Sequence, residues 1–339
     1  MSRIITVAGG IEKKDCRMVL SHEHLFIDLA NQAAAGAERR NITSADRPRL
    51  LCDPYSMQDN LLLDRVDLAA EECKNLLELG CNTVVDCSLR EIGRDPLKLY
   101  SLSRETGMNI VMGCGWYTGD THPEETASCS VEKLAENLLG EIRNGVGTSG
   151  IKPGIIGEIG TGKKILEREW KALEAAAAAQ QHCGLAVQIH IYPWCTNGLD
   201  IAKKMIQWGT APDRIVICHS DVEPDRNYIL ELLKLGVFVQ LDNFGKEFTP
   251  AAGGFAAGNF VRDSQRVELA AWIIRSGYGK QLLLTNDICL KCMLKQFGGS
   301  GYSHIFENIL PALEGQGIER EYLQEVILRE NPLRMLTGE

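Results

Sequence analysis

The stretch VLSHEHLFIDL places His22 and His24 two residues apart, in a chain of 339 residues that has seven histidines. Side chains two apart on an extended strand share a face, about 6–7 Å apart along the chain, whereas on a helix they diverge. His-x-His can therefore grip one metal ion if it lies on a strand, and the apolar Met18-Val19-Leu20 before it supplies that setting. Alone the motif is weak. It gains force from four further residues: His190 ends AVQI, His219 ends RIVIC, Asp287 follows QLLLTN, and Glu158 sits within GIIGEIG. Each is an imidazole or carboxylate at the C-terminal end of an apolar run. Six such donors exceed the three protein ligands of an open catalytic zinc and suit two ions sharing one carboxylate. Taken singly, each is explained as readily by a hydrogen-bonded core histidine or a helix-capping acid. Their joint placement is the signal.

The runs that carry these residues read as strands at 18–22, 83–87, 109–113, 154–159, 186–190, 214–219, 236–241 and 281–286. Helical periodicity alternates with them at 61–79, 166–182, 198–208, 226–235 and 264–276. Asp95-Pro96 is a helix start signal, and Gly236 a stop after Leu235. Eight strands with crossover helices, and no linker or low-complexity break, predict an α/β fold: a (β/α)8 TIM barrel forming a single domain over residues 1–339. A doubly wound open sheet is the alternative. In a barrel the six donors, on the first, fourth, fifth, sixth and eighth strands, converge at one mouth. The loops 31–57 and 245–262 follow strands and are expected at that mouth too, against the plainer reading of surface loops. Gly157, Gly160 and Gly162 in GEIGTG lack dinucleotide-binding spacing and a P-loop lysine-serine pair, and are read as turn glycines.

Composition narrows the function classes. A net charge of −9 and a pI near 5.4, with no basic stripe, argue against nucleic acid. No apolar run approaches the 18 residues of a membrane span, and the N-terminus shows no signal-peptide pattern. Twelve cysteines are scattered without CxxC spacing. Several, such as Cys87, Cys114 and Cys218, lie in or beside apolar runs, so a reducing cytoplasm is the expected compartment.

The segments VLSHEHLFIDL, TVVDCSLREIGRDPLKL, GCGWYTGDTHP, KPGIIGEIGTG, VQIHIY, ICHSD, QLDNFGKE, LLLTNDICLK and RENPLRML follow one another over nearly the whole chain. Together they resemble the phosphotriesterase family of the amidohydrolase superfamily. The resemblance implies a barrel with two divalent ions, zinc first, with manganese, cobalt or iron equally compatible with the donors. It places His22, His24 and Asp287 on the more buried ion and His190 and His219 on the exposed one. Glu158 is the implied bridge, as in the members that use glutamate in place of a carboxylated lysine; Lys152 and Lys163, which flank the strand, are read as non-ligands. The implied catalysis is attack by a metal-bridging hydroxide, with Asp287 taking the proton. Tyr117 stands where lactone-hydrolysing members put a tyrosine near the metals; a rim aromatic that merely packs is the alternative.

The partner expected is a small-molecule substrate, with neither nucleic acid nor membrane. A lactone or carboxylic ester is the first reading. Amides of N-acyl amino acids and organophosphate triesters are the alternatives, and LKQFGGSGYSHIFENILP resembles the branch holding the animal phosphotriesterase-related proteins, which is compatible with an amide or a small anionic substrate. Lys246, after the seventh strand, and Lys291, after Asp287, would favour an anionic substrate if they face inward; solvated surface lysines are the plainer reading. A binding protein without turnover is disfavoured because all six ligand positions are filled. Oligomeric state is not legible in the residues, and the resemblance allows a homodimer.

Overall fold

The computed structural model describes residues 3–250, 258 and 260–339. Eight strands form one sheet: β1 (Met18–Glu23), β2 (Cys81–Asp86), β3 (Asn109–Cys114), β4 (Ile155–Gly160), β5 (Val187–His190), β6 (Ile215–Ile217), β7 (Phe238–Leu241) and β8 (Leu282–Leu284). They pair in chain order and every ladder is parallel. The circle closes between the last strand and the first: the Asp287 amide donates to the His22 carbonyl at 3.3 Å, and the Thr285 hydroxyl donates to the Glu23 carboxylate at 2.6 Å. This is the (β/α)8 TIM barrel the alternation predicts. The crossover helices are α1 (Val66–Glu78), α2 (Pro96–Thr106), α3 (Val131–Asn144), α4 (Glu167–Cys183), α5 (Gly198–Gln207), α6 (Arg226–Leu235) and α7 (Asp263–Ile273); α8 (Leu310–Gly315) and α9 (Asn331–Thr337) follow β8.

Two apolar cores flank the sheet, because parallel strands covered by helices bury both faces. Outward-facing residues such as Leu20, Val84 and Ile217 join the helices in the larger core. The smaller one fills the barrel, with Val19, Val85, Val111, Ile155, Val216, Phe238 and Leu283 packed on Leu333, Met335 and Leu336 of α9.

Strict alternation along β1 and β4 would waste three donors. With Val19 and Ile155 facing inward, His22, His24 and Glu158 fall on the outward phase. The β1 ladder slips between Leu20 and Glu23 and the β4 ladder between Ile156 and Ile159, and the slips turn these donors into the barrel. In β4 the slip sits at Gly157, with φ +123°. A Cβ there would lie 2.3 Å from the Gln188 carbonyl oxygen. Gly157 and Gly160 are therefore strand residues at close backbone approaches, which corrects their reading as turn glycines.

Other departures are local. The periodic stretch from 61 starts its helix at Val66, because Leu62–Leu63 first pair with Ile27–Asp28 in a short antiparallel ladder. The stretch ending at 276 stops at Ile273, ahead of Gly277 at φ +86°. Helix α3, capped by the Ser130 hydroxyl, was not anticipated. Arg94 pairs with both carboxylate oxygens of Glu141 at 2.9 and 3.0 Å, and Asp95 caps α2. All twelve cysteines are free, and among the described residues no helix is long and apolar enough to cross a membrane.

Candidate metal centre

The barrel mouth brings His22, His24, Glu158, His190, His219 and Asp287 together around the Glu158 carboxylate. Oε1 lies 3.4 Å from His24 Nε2. Oε2 lies 3.3 Å from His22 Nε2, 3.4 Å from His190 Nδ1 and 3.5 Å from His219 Nε2. Asp287 Oδ1 is 3.1 Å from His24 Nε2 and 3.7 Å from His22 Nε2. Two triads, His22–His24–Glu158 and Glu158–His190–His219, each keep their donor atoms within 4.8 Å of one another. Glu158 belongs to both.

The outer atoms of the rings set which nitrogen faces inward. The Ser88 hydroxyl gives its proton to the Phe26 carbonyl at 2.6 Å. His24 Nδ1–H must therefore donate to Ser88 Oγ, 2.9 Å away, which leaves the Nε2 lone pair free. His219 Nδ1 donates to Asp242 Oδ1 at 2.9 Å, with the same result. His22 Nδ1 lies 2.9 Å from Gln240 Nε2 and 3.5 Å from Asp242 Oδ2. These carboxylate and hydroxyl partners are the supports that metal-ligating histidines require.

The donors fit divalent cations on two counts. His22 Nε2 and Glu158 Oε2 are buried with no hydrogen-bond partner, an unfavourable state unless something positive lies between them. His190 Nδ1 and His219 Nε2 face each other at 2.8 Å, so they share one proton or give both lone pairs to one ion. The electrostatics agree. Burial works against the charged form of His24, yet Asp287 and Glu158 raise it to about 10. Burial likewise opposes Glu158, but the surrounding imidazoles hold it well below the usual carboxylate range. The centre attracts positive charge.

Two of the donors adopt left-handed backbone, His219 at φ +55° and Asp287 at φ +49°. Non-glycine residues rarely do so, and such conformations persist where the surroundings over-determine them. Around Asp287 the surroundings include Glu23, fully buried between the two histidines of the motif and facing the other way. It accepts bonds from the Thr285 hydroxyl (2.6 Å), the Asn286 amide and side chain (2.9 and 3.0 Å) and the Ile288 amide (2.9 Å). Around His219 stands a chain of charges. The Asp242 carboxylate accepts from the His219 amide, and Asn243 Nδ2 links Asp242 to Asp221 at 2.8 Å each. The fully buried Arg266 lies 3.0 Å from Asp221 and donates to Asp263 and the Lys246 carbonyl at 2.9 and 3.3 Å. Asp242, the residue after β7, has the same signature as the other donors. Glu23 and Arg266 have none, because the partners that bury them, residues 285–288 for Glu23 and Asp221 for Arg266, are far away in sequence.

A cavity of about 490 Å³ opens over the cluster. Tyr117 lines it, its ring centroid 5.0 Å from that of His190. Lys246 lines it as well, fully engaged with Asp287 Oδ2. Burial disfavours its charge, but Asp287 outweighs that and raises the ammonium above its ordinary value. Lys291 is placed elsewhere: its ammonium is 2.6 Å from Asp59 and takes no part in the cavity wall. Of the two irregular loops, 31–57 contributes Gln32 and Tyr55 to the wall and 245–262 contributes Lys246, Phe248 and Phe260; residues 251–257 and 259 of the latter lie outside the described residues.

The family model of the phosphotriesterase family matches residues 2–336. The chain belongs to the phosphotriesterase family. A Danio rerio N-acetyltaurine hydrolase is 32% identical over 343 residues, covering 99% of this chain and 98% of that protein. A resiniferatoxin-binding protein from Rhodobacter sphaeroides superposes with a TM-score of 0.95 at 30% identity, covering 99% and 95% of the two chains. The Escherichia coli phosphotriesterase homology protein, solved with phosphate in its active site, gives a TM-score of 0.80 at 28% identity over 95% and 99%. With such relatives, this member of the phosphotriesterase family is a hydrolase.

Proposed function

We propose that the protein hydrolyses a carboxylic amide or ester, with an N-acyl amide of a small anionic amine as the preferred substrate, using two divalent ions. The ions would be held by His22, His24 and Asp287 on the buried side and by His190 and His219 on the open side, with Glu158 between them. The observation that carries this reading is the buried, partnerless pair His22 Nε2 and Glu158 Oε2 at the meeting point of two donor triads. The relatives named for N-acetyltaurine hydrolysis support the amide over the lactone. Imidazole and carboxylate donors suit zinc, and also manganese, cobalt or iron.

Bound there, divalent ions would polarise the scissile carbonyl and lower the pKa of water to near neutrality. The residues do the rest. Asp287 Oδ1, within the donor cluster, takes the proton of the attacking water and passes it to the leaving nitrogen. The water oxygen joins the carbonyl carbon, the C–N bond breaks, and a carboxylate and an amine result. The Lys246 ammonium on Oδ2 keeps Asp287 ionised until then. Tyr117, whose ring lies beside that of His190, would steady the carbonyl oxygen on the open side. The cavity walls limit competing water.

Initial rates of zinc- or manganese-loaded protein on N-acetyltaurine, N-acetylglycine, a γ-lactone and a neutral phosphotriester test the reading. Amide turnover well above the other two classes is expected. A fully metallated protein that opens the lactone and leaves both amides intact would overturn the amide assignment.

A further inference from the structure

Four aromatic rings stand in a row along one wall of the cavity. The Tyr192 and Trp194 centroids are 5.7 Å apart, those of Trp194 and Phe260 5.0 Å, and those of Phe260 and Phe248 5.5 Å. All four line the cavity, and every pair is tilted or edge-on, the arrangement aromatic rings prefer. The row begins two residues beyond His190, at the open side of the donor cluster. It is tightly backed, since a Cβ on Gly258 would lie 3.1 Å from the Trp194 ring. Ile27, Leu29 and Leu290 add further apolar surface.

Lys246 is engaged with Asp287, and the cavity's other two lysines stand on a different loop from Phe248 and Phe260. Lys163 and Lys164, after β4, are exposed at its edge, and neither forms an ion pair among the described residues. An anionic amine portion is drawn towards that loop, which leaves the acyl portion facing the rings. A two-carbon acyl group fills a small fraction of about 490 Å³ and leaves most of the aromatic surface wet. Small-molecule sites bury most of their ligand against such walls.

We propose that the acyl group of the substrate is bulky and ring-bearing, seated on the Tyr192–Trp194–Phe260–Phe248 row with its carbonyl over Glu158. This rests on the hydrolase reading above and narrows it, because the acetyl group in the relatives' named substrate would leave the row unused.

The experiment compares N-acetyltaurine with N-(3-phenylpropionyl)taurine on the zinc-loaded protein. Alongside it, tryptophan fluorescence is titrated with 3-phenylpropionate and with acetate. We expect kcat/KM to favour the aryl substrate by about tenfold or more, the scale set by an apolar pocket contact. Trp194→Ala should lower kcat/KM for the aryl substrate about tenfold more than for the acetyl one, through KM. Equal turnover of the two amides, or a preference for acetyl, overturns the aromatic seat while leaving the hydrolase intact. If neither amide is cut but 3-phenylpropionate quenches fluorescence and acetate does not, the seat stands and the hydrolase reading falls. If 3-phenylpropionate does not bind and no preference is seen, the seat is overturned whatever Trp194→Ala does.

Discussion

The two halves of the donor cluster are built by different means. The His22–His24 half lies deepest, its rings wholly or almost wholly buried. It is fixed by barrel closure: Glu23 clamps the end of β8, and His24 leans on a neutral hydroxyl. The His190–His219 half opens on the cavity, with the His190 side chain 12% exposed. It is fixed by charge, through Asp242, Asp221 and Arg266. The closed half depends on the architecture of the whole barrel, and the open half on a network of ionic contacts. On the proposed function, the difference would separate holding an ion from presenting it to a substrate.

The largest expected effect comes from removing one donor in each half. His22→Ala should lower kcat/KM on the order of 10³-fold or more, with loss of bound metal by elemental analysis and an unchanged circular dichroism spectrum. His190→Ala should keep about one ion per chain and lose the other. Equal metal retention in the two variants would erase the distinction between the halves.

Arg266→Met is the next largest. Cutting the support of a metal ligand typically costs about 10–100-fold in affinity or activity. It also leaves the buried Asp221 without its cation, a destabilisation of about 3–5 kcal/mol. The expected signature is a fall in kcat with weaker binding of the second ion, and partial rescue by Arg266→Lys. A variant that melts lower but retains both ions and full kcat would reduce Arg266 to a structural role.

The smallest effect is that of pH on metal binding. In the metal-free protein burial lowers His24, but Asp287 and Glu158 win and raise it to about 10, so the ring is protonated at pH 7. An ion must displace that proton, and apparent affinity should rise by up to about tenfold per pH unit until the pH passes about 10. Calorimetry of zinc binding in buffers of different ionisation enthalpy would read the released proton. Affinity that does not change from pH 7 to 8 would contradict it.

How much of this was legible depends on how far apart the partners are. All eight strands, and the convergence of the six donors, followed from local runs such as AVQIH and RIVICH, where an apolar stretch ends in a candidate ligand. The face on which His22 and Glu158 lie did not, because a one-residue slip in a ladder reverses a side chain without altering the apolar pattern. Nor did the fate of Lys291, which follows Asp287 yet turns to Asp59, 232 residues away. Arg266 reads as an ordinary charged residue on α7 until Asp221 and Asp263 are folded around it. Local pattern reports which elements form, and long-range pairing decides what their charged residues do.

The clamp made by Glu23 has a consequence for how the protein is made. Its partners lie 262 to 265 residues further on, so the clamp cannot form on a nascent chain until β8 has left the ribosome. Asp287 and the deep half of the cluster come into being at that same step, near the end of synthesis. Loops closed over such distances are entropically costly and form slowly. An ion held as proposed by the deep half could be taken up only after that step, and a ribosome-bound chain halted before residue 282 would display His22 and His24 without Asp287 beside them.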